Sequence, residues 1–293
     1  MPSVPKDGAA ELGGQYIIAF ANEKGGVGKT TSCVNVGAAL AQRGLRVLCI
    51  DLDPQANLTA ALGIPPVEAE AHGLHRFLSR TEMPLAEAVA TTDVGNLELL
   101  PACPSLAEYE GTLAREPEGT GRLRAKLRRR LSQAGTGPDL VLLDCPPSLG
   151  VLTANALVAA THMIVPVTPR LYSLKSMAQL GTLVASLHWE AGATVKLLGI
   201  LVTLFDENVG LDTTLYRLLK EKIEGEFGDF MFPKPIASSV AISEAEAGGR
   251  PVVVRAPKTS AALAYVALGE EVLARLRQDE AGALGSFVGT AAA

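Results

Sequence analysis

One eight-residue segment constrains this chain more than any other. Lys24-Gly25-Gly26-Val27-Gly28-Lys29-Thr30-Thr31 stands between an apolar run, Tyr16–Ala21, and a stretch of helical period from about Lys29 to Arg43 that Gly44 closes. A strand, a glycine-rich turn and a helix N-terminus in that order form a cradle for phosphate. The glycines let backbone N–H groups turn inward, and the helix adds the positive end of its dipole. In such a loop Lys29 reaches β- and γ-phosphates, and Thr30 offers its hydroxyl to Mg²⁺.

The rest of the chain follows the same rhythm. Short apolar runs predict strands at Arg46–Asp51, Leu97–Pro101, Leu140–Asp144, Met163–Val167 and Leu197–Leu204. Helical periods lie near Ser105–Arg115, Arg122–Gln133, Ser173–Glu190, Thr213–Glu224 and Ser260–Arg277. Continuous rather than alternating apolar runs mean strands buried on both faces. The expected fold is therefore α/β, a mostly parallel twisted sheet with helices on both faces and right-handed crossovers. Ligands bind such sheets at the carboxyl ends of the strands. One domain over residues 15–278 is expected, between flexible tails at 1–14 and 279–293. With 293 residues, 48% of them hydrophobic, the chain can fill one sizeable core.

Two predicted strands end in carboxylates. Arg46–Asp51 runs into Asp51-Leu52-Asp53-Pro54-Gln55-Ala56-Asn57, and the i, i+2 spacing points both acids to one side. Asp139–Asp144 is followed by Cys145-Pro146-Pro147-Ser148-Leu149-Gly150. An apolar strand ending in an acid has the form of a Walker B element, which holds Mg²⁺ through water.

The loop lacks the first glycine of the common GxxxxGK[ST] form, and KGGVGKT, with Lys24 at its start, is a deviant Walker A pattern. Together with DLDPQAN and LDCPPSLG it resembles the ParA/MinD family of P-loop ATPases, and Pro54-Gln55 places it on the ParA branch. The resemblance extends from about Tyr16 to Arg277. It includes Leu100-Pro101-Ala102, Ile164–Val167, Ser243-Glu244-Ala245 and Gly249-Arg250-Pro251-Val252. It implies an ATP- and Mg²⁺-dependent homodimer in which Lys24 crosses the interface to the partner's phosphates. Asp53 would orient the attacking water and Asp51 would support the Mg²⁺ shell. It further implies slow hydrolysis stimulated by a ParB-like partner, and non-specific binding of double-stranded DNA at the nucleoid. The chain looks like the small, Soj-like type, without the N-terminal DNA-binding domain of larger plasmid ParA proteins.

Two stretches depart from that pattern. Asp206-Glu207-Asn208 and Ala237–Ala241 occupy places where arginines associated with DNA binding are common. Substitute cations are Arg217, Lys220 and Lys222 on one predicted helix, then Arg250, Arg255 and Lys258. A net charge of −5 is not the overall signature of a nucleic-acid binder, so any DNA surface must be a local patch. The run Arg122–Arg130 carries a leucine stripe at Leu123, Leu127 and Leu131 and reads as a solvated basic face, with a DNA-contact helix as the alternative.

The competing functions are a positioning ATPase for a protein or membrane cargo, and a metabolic enzyme on the same scaffold. No run of about 20 apolar residues occurs, and Gln278–Ala293 has no basic residue to support a membrane-surface helix. Met1–Gly14 lacks the apolar core of a secretory signal. Four cysteines without a CxxC pair suit a reduced, cytoplasmic protein. His72 and His75 lack acidic or cysteine partners at metal-site spacing, and Cys103 and Cys145 read as buried, idle thiols.

Overall fold

The computed structural model describes residues 15–80, 82–131, 137–170 and 172–280. The glycine loop connects β1 (Tyr16–Phe20) to α1 (Lys29–Gln42), and β2 (Val47–Asp51) follows. Four short helices come next: α2 (Asn57–Ala61), α3 (Pro66–Ala71), α4 (Leu74–Ser79) and α5 (Leu85–Ala88). Then come β3 (Ala90–Thr91), β4 (Leu97–Leu100), α6 (Ser105–Leu113), α7 (Arg122–Leu131) and β5 (Leu140–Asp144). The chain continues through α8 (Val151–Ala159), β6 (His162–Val167), α9 (Tyr172–Ala191), β7 (Lys196–Val202) and α10 (Gly210–Phe227). It closes with α11 (Val240–Ala247), α12 (Val252–Arg255) and α13 (Ser260–Glu280).

The strands form one seven-stranded sheet in the order β3-β4-β2-β5-β1-β6-β7. Every pairing is parallel except that of β3 with β4. Every residue of β2, β5 and β6 is buried, as expected of strands covered on both faces. One core holds Leu123, Leu157, Leu180 and Ile223 from α7, α8, α9 and α10. The other holds Leu40, Leu58, Ile242, Val252 and Val272 from α1, α2, α11, α12 and α13. Each fully buried leucine contributes about 1.5–3 kcal/mol. Among the described residues no helix is long and apolar enough to cross a membrane.

Local chemistry sets the joints that matter. Gly44, at φ +93°, ends α1; its N–H donates to Ala41 O at 2.9 Å, and that of Leu45 donates to Leu40 O at 3.3 Å. The apolar stretch 151–167 divides at Ala160 into α8 and β6, where Thr161 N donates to Ile17 O at 2.8 Å. α13 runs to Glu280, two residues beyond the expected domain end. Its Asp279 accepts from His162 Nε2 at 3.1 Å and from Lys196 Nζ at 2.8 Å. The remaining residues assigned to the tails, 1–14 and 281–293, lie outside the described residues.

Candidate functional site

The loop after β1 closes over the start of α1 at the carboxyl end of the sheet. Gly26 (φ +70°) and Gly28 (φ +73°) hold the left-handed backbone that inward N–H groups need. A Cβ at Gly28 would meet Thr203 at an ordinary contact distance of 3.5 Å, so the backbone conformation and not space calls for glycine there. Thr203, just beyond β7, donates its hydroxyl to Val27 O at 2.8 Å and so ties the loop to a distant strand. Lys29 is buried, and Nζ donates to Lys24 O at 3.0 Å across the loop. Burial lowers its pKa, while the nearby Asp144 carboxylate opposes that shift.

The two acidic strand ends meet on adjacent strands, with Asp51 in register with Asp144. Both are fully buried. Asp51 Oδ1 accepts from Asp53 N at 3.1 Å, and Oδ2 accepts from Thr59 N at 2.9 Å and Thr59 Oγ1 at 2.7 Å. Burial nonetheless pushes its pKa up to about 6, because three hydrogen bonds only partly replace lost hydration. Asp144 differs. Oδ2 accepts from the Thr30 hydroxyl at 2.7 Å, but Oδ1 is buried without any hydrogen-bond partner. Burial first, and the Asp51 carboxylate second, raise its pKa well above the ordinary range. A buried, unmatched carboxylate oxygen beside a threonine hydroxyl suits a hard cation with oxygen ligands.

A cavity of about 360 Å³ opens beside the glycine loop. Gly25, Gly26, Gly28, Lys29, Thr30 and Thr31 line one side, and Asp53, Asn57, Pro147 and Glu246 line the other. Asp53 accepts from Gln55 N at 3.0 Å, and the turn reaches Ala56 in a left-handed conformation (φ 55°), which costs an alanine about 1–2 kcal/mol. Glu246, from α11, accepts from the Thr31 hydroxyl. Sequence reasoning missed Asn57, Glu246 and Thr203 as part of the site. Lys24 is half-buried at the loop's edge, held by its N–H to Asn22 Oδ1 at 3.0 Å, and does not line the cavity.

A family model described as an AAA domain matches residues 15–197. The chain is 40% identical over 261 residues to the chromosome-partitioning ATPase Soj of Thermus thermophilus, spanning 89% of this chain and 96% of that one. It is 34% identical over 266 residues to the chromosome partitioning protein ParA of Caulobacter vibrioides, spanning 90% and 96%. The chain belongs to the ParA/Soj family. Among solved structures, cobyrinic acid a,c-diamide synthase from Mycobacterium smegmatis, with bound ATP analog and magnesium, superposes with a TM-score of 0.73. The identity is 32%, and the match spans 93% of this chain and 99% of that one.

The cations named for a ParA/Soj DNA surface do not form one cluster. Arg217, Lys220 and Lys222 are exposed on α10, anchored by Leu219 and Ile223 in one core. Arg250, Arg255 and Lys258 are exposed around α12, anchored by Val252 and Val253 in the core on the other face. Lys220 pairs with Glu224 at 3.5 Å and Arg250 with Asp93 at 2.7 Å. Four cations of the basic helix α7 find partners within the chain. Arg124 donates to the carbonyls of Ala191 and Gly192, Arg122 pairs with Glu116, and Arg129 pairs with Glu82. Lys126 is buried over the Phe77 ring, 5.4 Å from its centroid.

Proposed function

We propose that this chain is a slow, Mg²⁺-dependent ATPase that dimerises on ATP, binds DNA without sequence preference and serves DNA partitioning with a ParB-like activator. The observation that carries the reading is a cavity lined by the glycine loop, Lys29, Thr30 and Asp53, with Asp144 buried behind Thr30 and one of its oxygens unmatched. The family's partitioning members and the nucleotide- and magnesium-bound structural relative support it.

In this reading the N–H groups of residues 25–31 cradle the phosphates and Lys29 Nζ leaves Lys24 O for the β- and γ-oxygens. Thr30 and Asp144 hold Mg²⁺, with Asp51 behind them fixing the turn that carries Asp53. The bound ion neutralises charge between the phosphates. Asp53 orients a water for in-line attack on the γ-phosphorus, yielding ADP and phosphate. No arginine is among the residues lining the cavity, so hydrolysis is slow until a partner adds positive charge. Lys24, at the rim, reaches the partner's nucleotide and offsets repulsion between two triphosphates.

Light scattering after size exclusion tests this. The chain with ATP and Mg²⁺ should elute as a dimer, Lys24→Ala should bind ATP yet stay monomeric, and Asp53→Ala should accumulate the dimer while hydrolysis falls roughly 100-fold. A Lys24→Ala dimer at wild-type strength would overturn the role given to Lys24. DNA retention should require ATP and weaken steeply with salt. A positioning ATPase with a protein cargo is the second reading, favoured by the division of the exposed cations between two faces and by the acidic loop at Asp206-Glu207. Absence of ATP-dependent, salt-sensitive DNA retention would favour it.

A further inference from the structure

One side-chain cluster has no part in nucleotide handling. Cys103, in the turn after β4, is 1% exposed, and its Sγ lies 3.0 Å from Nδ1 of His75 in the first turn of α4. Glu70, on α3, brings Oε1 to 3.9 Å from Nε2 of the same ring. One ligand atom from each of the three lies within 4.8 Å of the others. The Ser105 hydroxyl donates to Glu70 and orients its carboxylate. The turn between α3 and α4 is built tightly around this point. Gly73 has φ +73°, and a Cβ there would sit 2.5 Å from Ala69 O and 3.2 Å from His75 Nδ1.

We propose that Glu70, His75 and Cys103 bind one divalent cation of the Zn²⁺ class, with water as fourth ligand. The donor set decides the class. Thiolate and imidazole favour Zn²⁺ and its neighbours over Mg²⁺ and Ca²⁺, and three protein ligands leave one position open. Tetrahedral Zn–S and Zn–N bonds place sulfur and nitrogen about 3.5 Å apart. The Cys103–His75 approach is already within about 0.5 Å of that separation. Glu70 is exposed, so a side-chain rotation brings its carboxylate in.

The site stands next to the switch-like turn of the nucleotide cavity. Ala102 N, adjacent to Cys103, donates to Thr59 Oγ1 at 3.0 Å, and that hydroxyl donates to Asp51 Oδ2. Cys103 also lines a mainly apolar cavity of about 250 Å³ beneath Pro54, Gln55 and Ala56. An ion clamping α3 and α4 to the β4–α6 turn braces the wall against which the Asp53 turn packs.

Chelator-treated full-length protein titrated with Co²⁺ tests the proposal. The expected result is a thiolate-to-cobalt charge-transfer band and intense four-coordinate visible bands, saturating at one equivalent and erased by Zn²⁺. Cys103→Ser should abolish the charge-transfer band although Cys33, Cys49 and Cys145 remain. Exposed Glu70→Gln should keep the wild-type circular dichroism and thermal midpoint while weakening Zn²⁺ affinity at least roughly tenfold. No charge-transfer band in the folded wild type would overturn the site. So would a band that survives Cys103→Ser, or Glu70→Gln with unchanged affinity. Nucleotide binding, read separately with a fluorescent ATP analogue, is unaffected by these outcomes, so failure here and failure of the ATPase reading are distinguishable.

Discussion

The two ends of the same sheet treat buried charge in opposite ways. At the amino end, His162 opens β6 and Lys196 opens β7, and both donate to Asp279 of α13. Burial alone would raise the Asp279 pKa, but hydrogen bonds from Lys196 and His162 outweigh it, and the pKa is lowered. These three groups satisfy one another. At the carboxyl end, Asp51 and Asp144 are buried side by side with raised pKa values, and one oxygen of Asp144 accepts nothing. Paired charge stabilises the fold at one end. Unpaired charge at the other raises the free energy of the empty protein and is relieved by a ligand of opposite sign, as functional sites commonly arrange.

The largest expected effect lies at the carboxyl end. Lys29→Ala should weaken ATP binding by at least about a thousandfold, over 4 kcal/mol, read by titration calorimetry. Asp279→Asn should leave that affinity unaltered; a comparable loss from Asp279→Asn would erase the contrast between the ends.

Stability against pH sharpens it further. The Asp51 pKa is raised to about 6 in the fold, from an ordinary 3.8. Its protonation therefore favours the folded state. That contribution is fully present below about 3.8 and is lost as pH rises through about 6, on the order of 3 kcal/mol. Asp51→Asn should remove this component, so the wild-type-minus-variant stability difference should fall between pH 4 and 6 in urea denaturation. A flat difference would show that Asp51 is not the strained group. Asp279 has the opposite sign: its stabilisation is present above its ordinary pKa of 3.8 and lost as pH falls through its lowered value. The smallest effect is Asp279→Asn at pH 7, a loss of about 1–2 kcal/mol in the same assay.

Much of this molecule was legible in order of residues alone. The strands at Tyr16–Phe20, Val47–Asp51 and Leu140–Asp144 lie within one residue of expectation, because strands buried on both faces are written as unbroken apolar runs. The short helices α2 to α5 were not legible. Pieces of four to six residues carry too few turns for a helical period to register, and tertiary packing holds them. β3 is two residues long and exists only as the antiparallel edge of β4. Cys103 is a buried free thiol, as expected, but its neighbours were not legible, since His75 and Glu70 reach it from helices far back in the chain.

Local order alone placed the glycine loop and the acids beside it, because backbone turns, strand ends and helix starts are properties of neighbouring residues. Packing decided what no neighbour could. It brought Thr203 against the loop, closed the cavity with Glu246, left one oxygen of Asp144 without a donor and set Cys103 against His75. Those relations depend on which distant groups share a buried space, and the chain acquires that space only when both cores have formed.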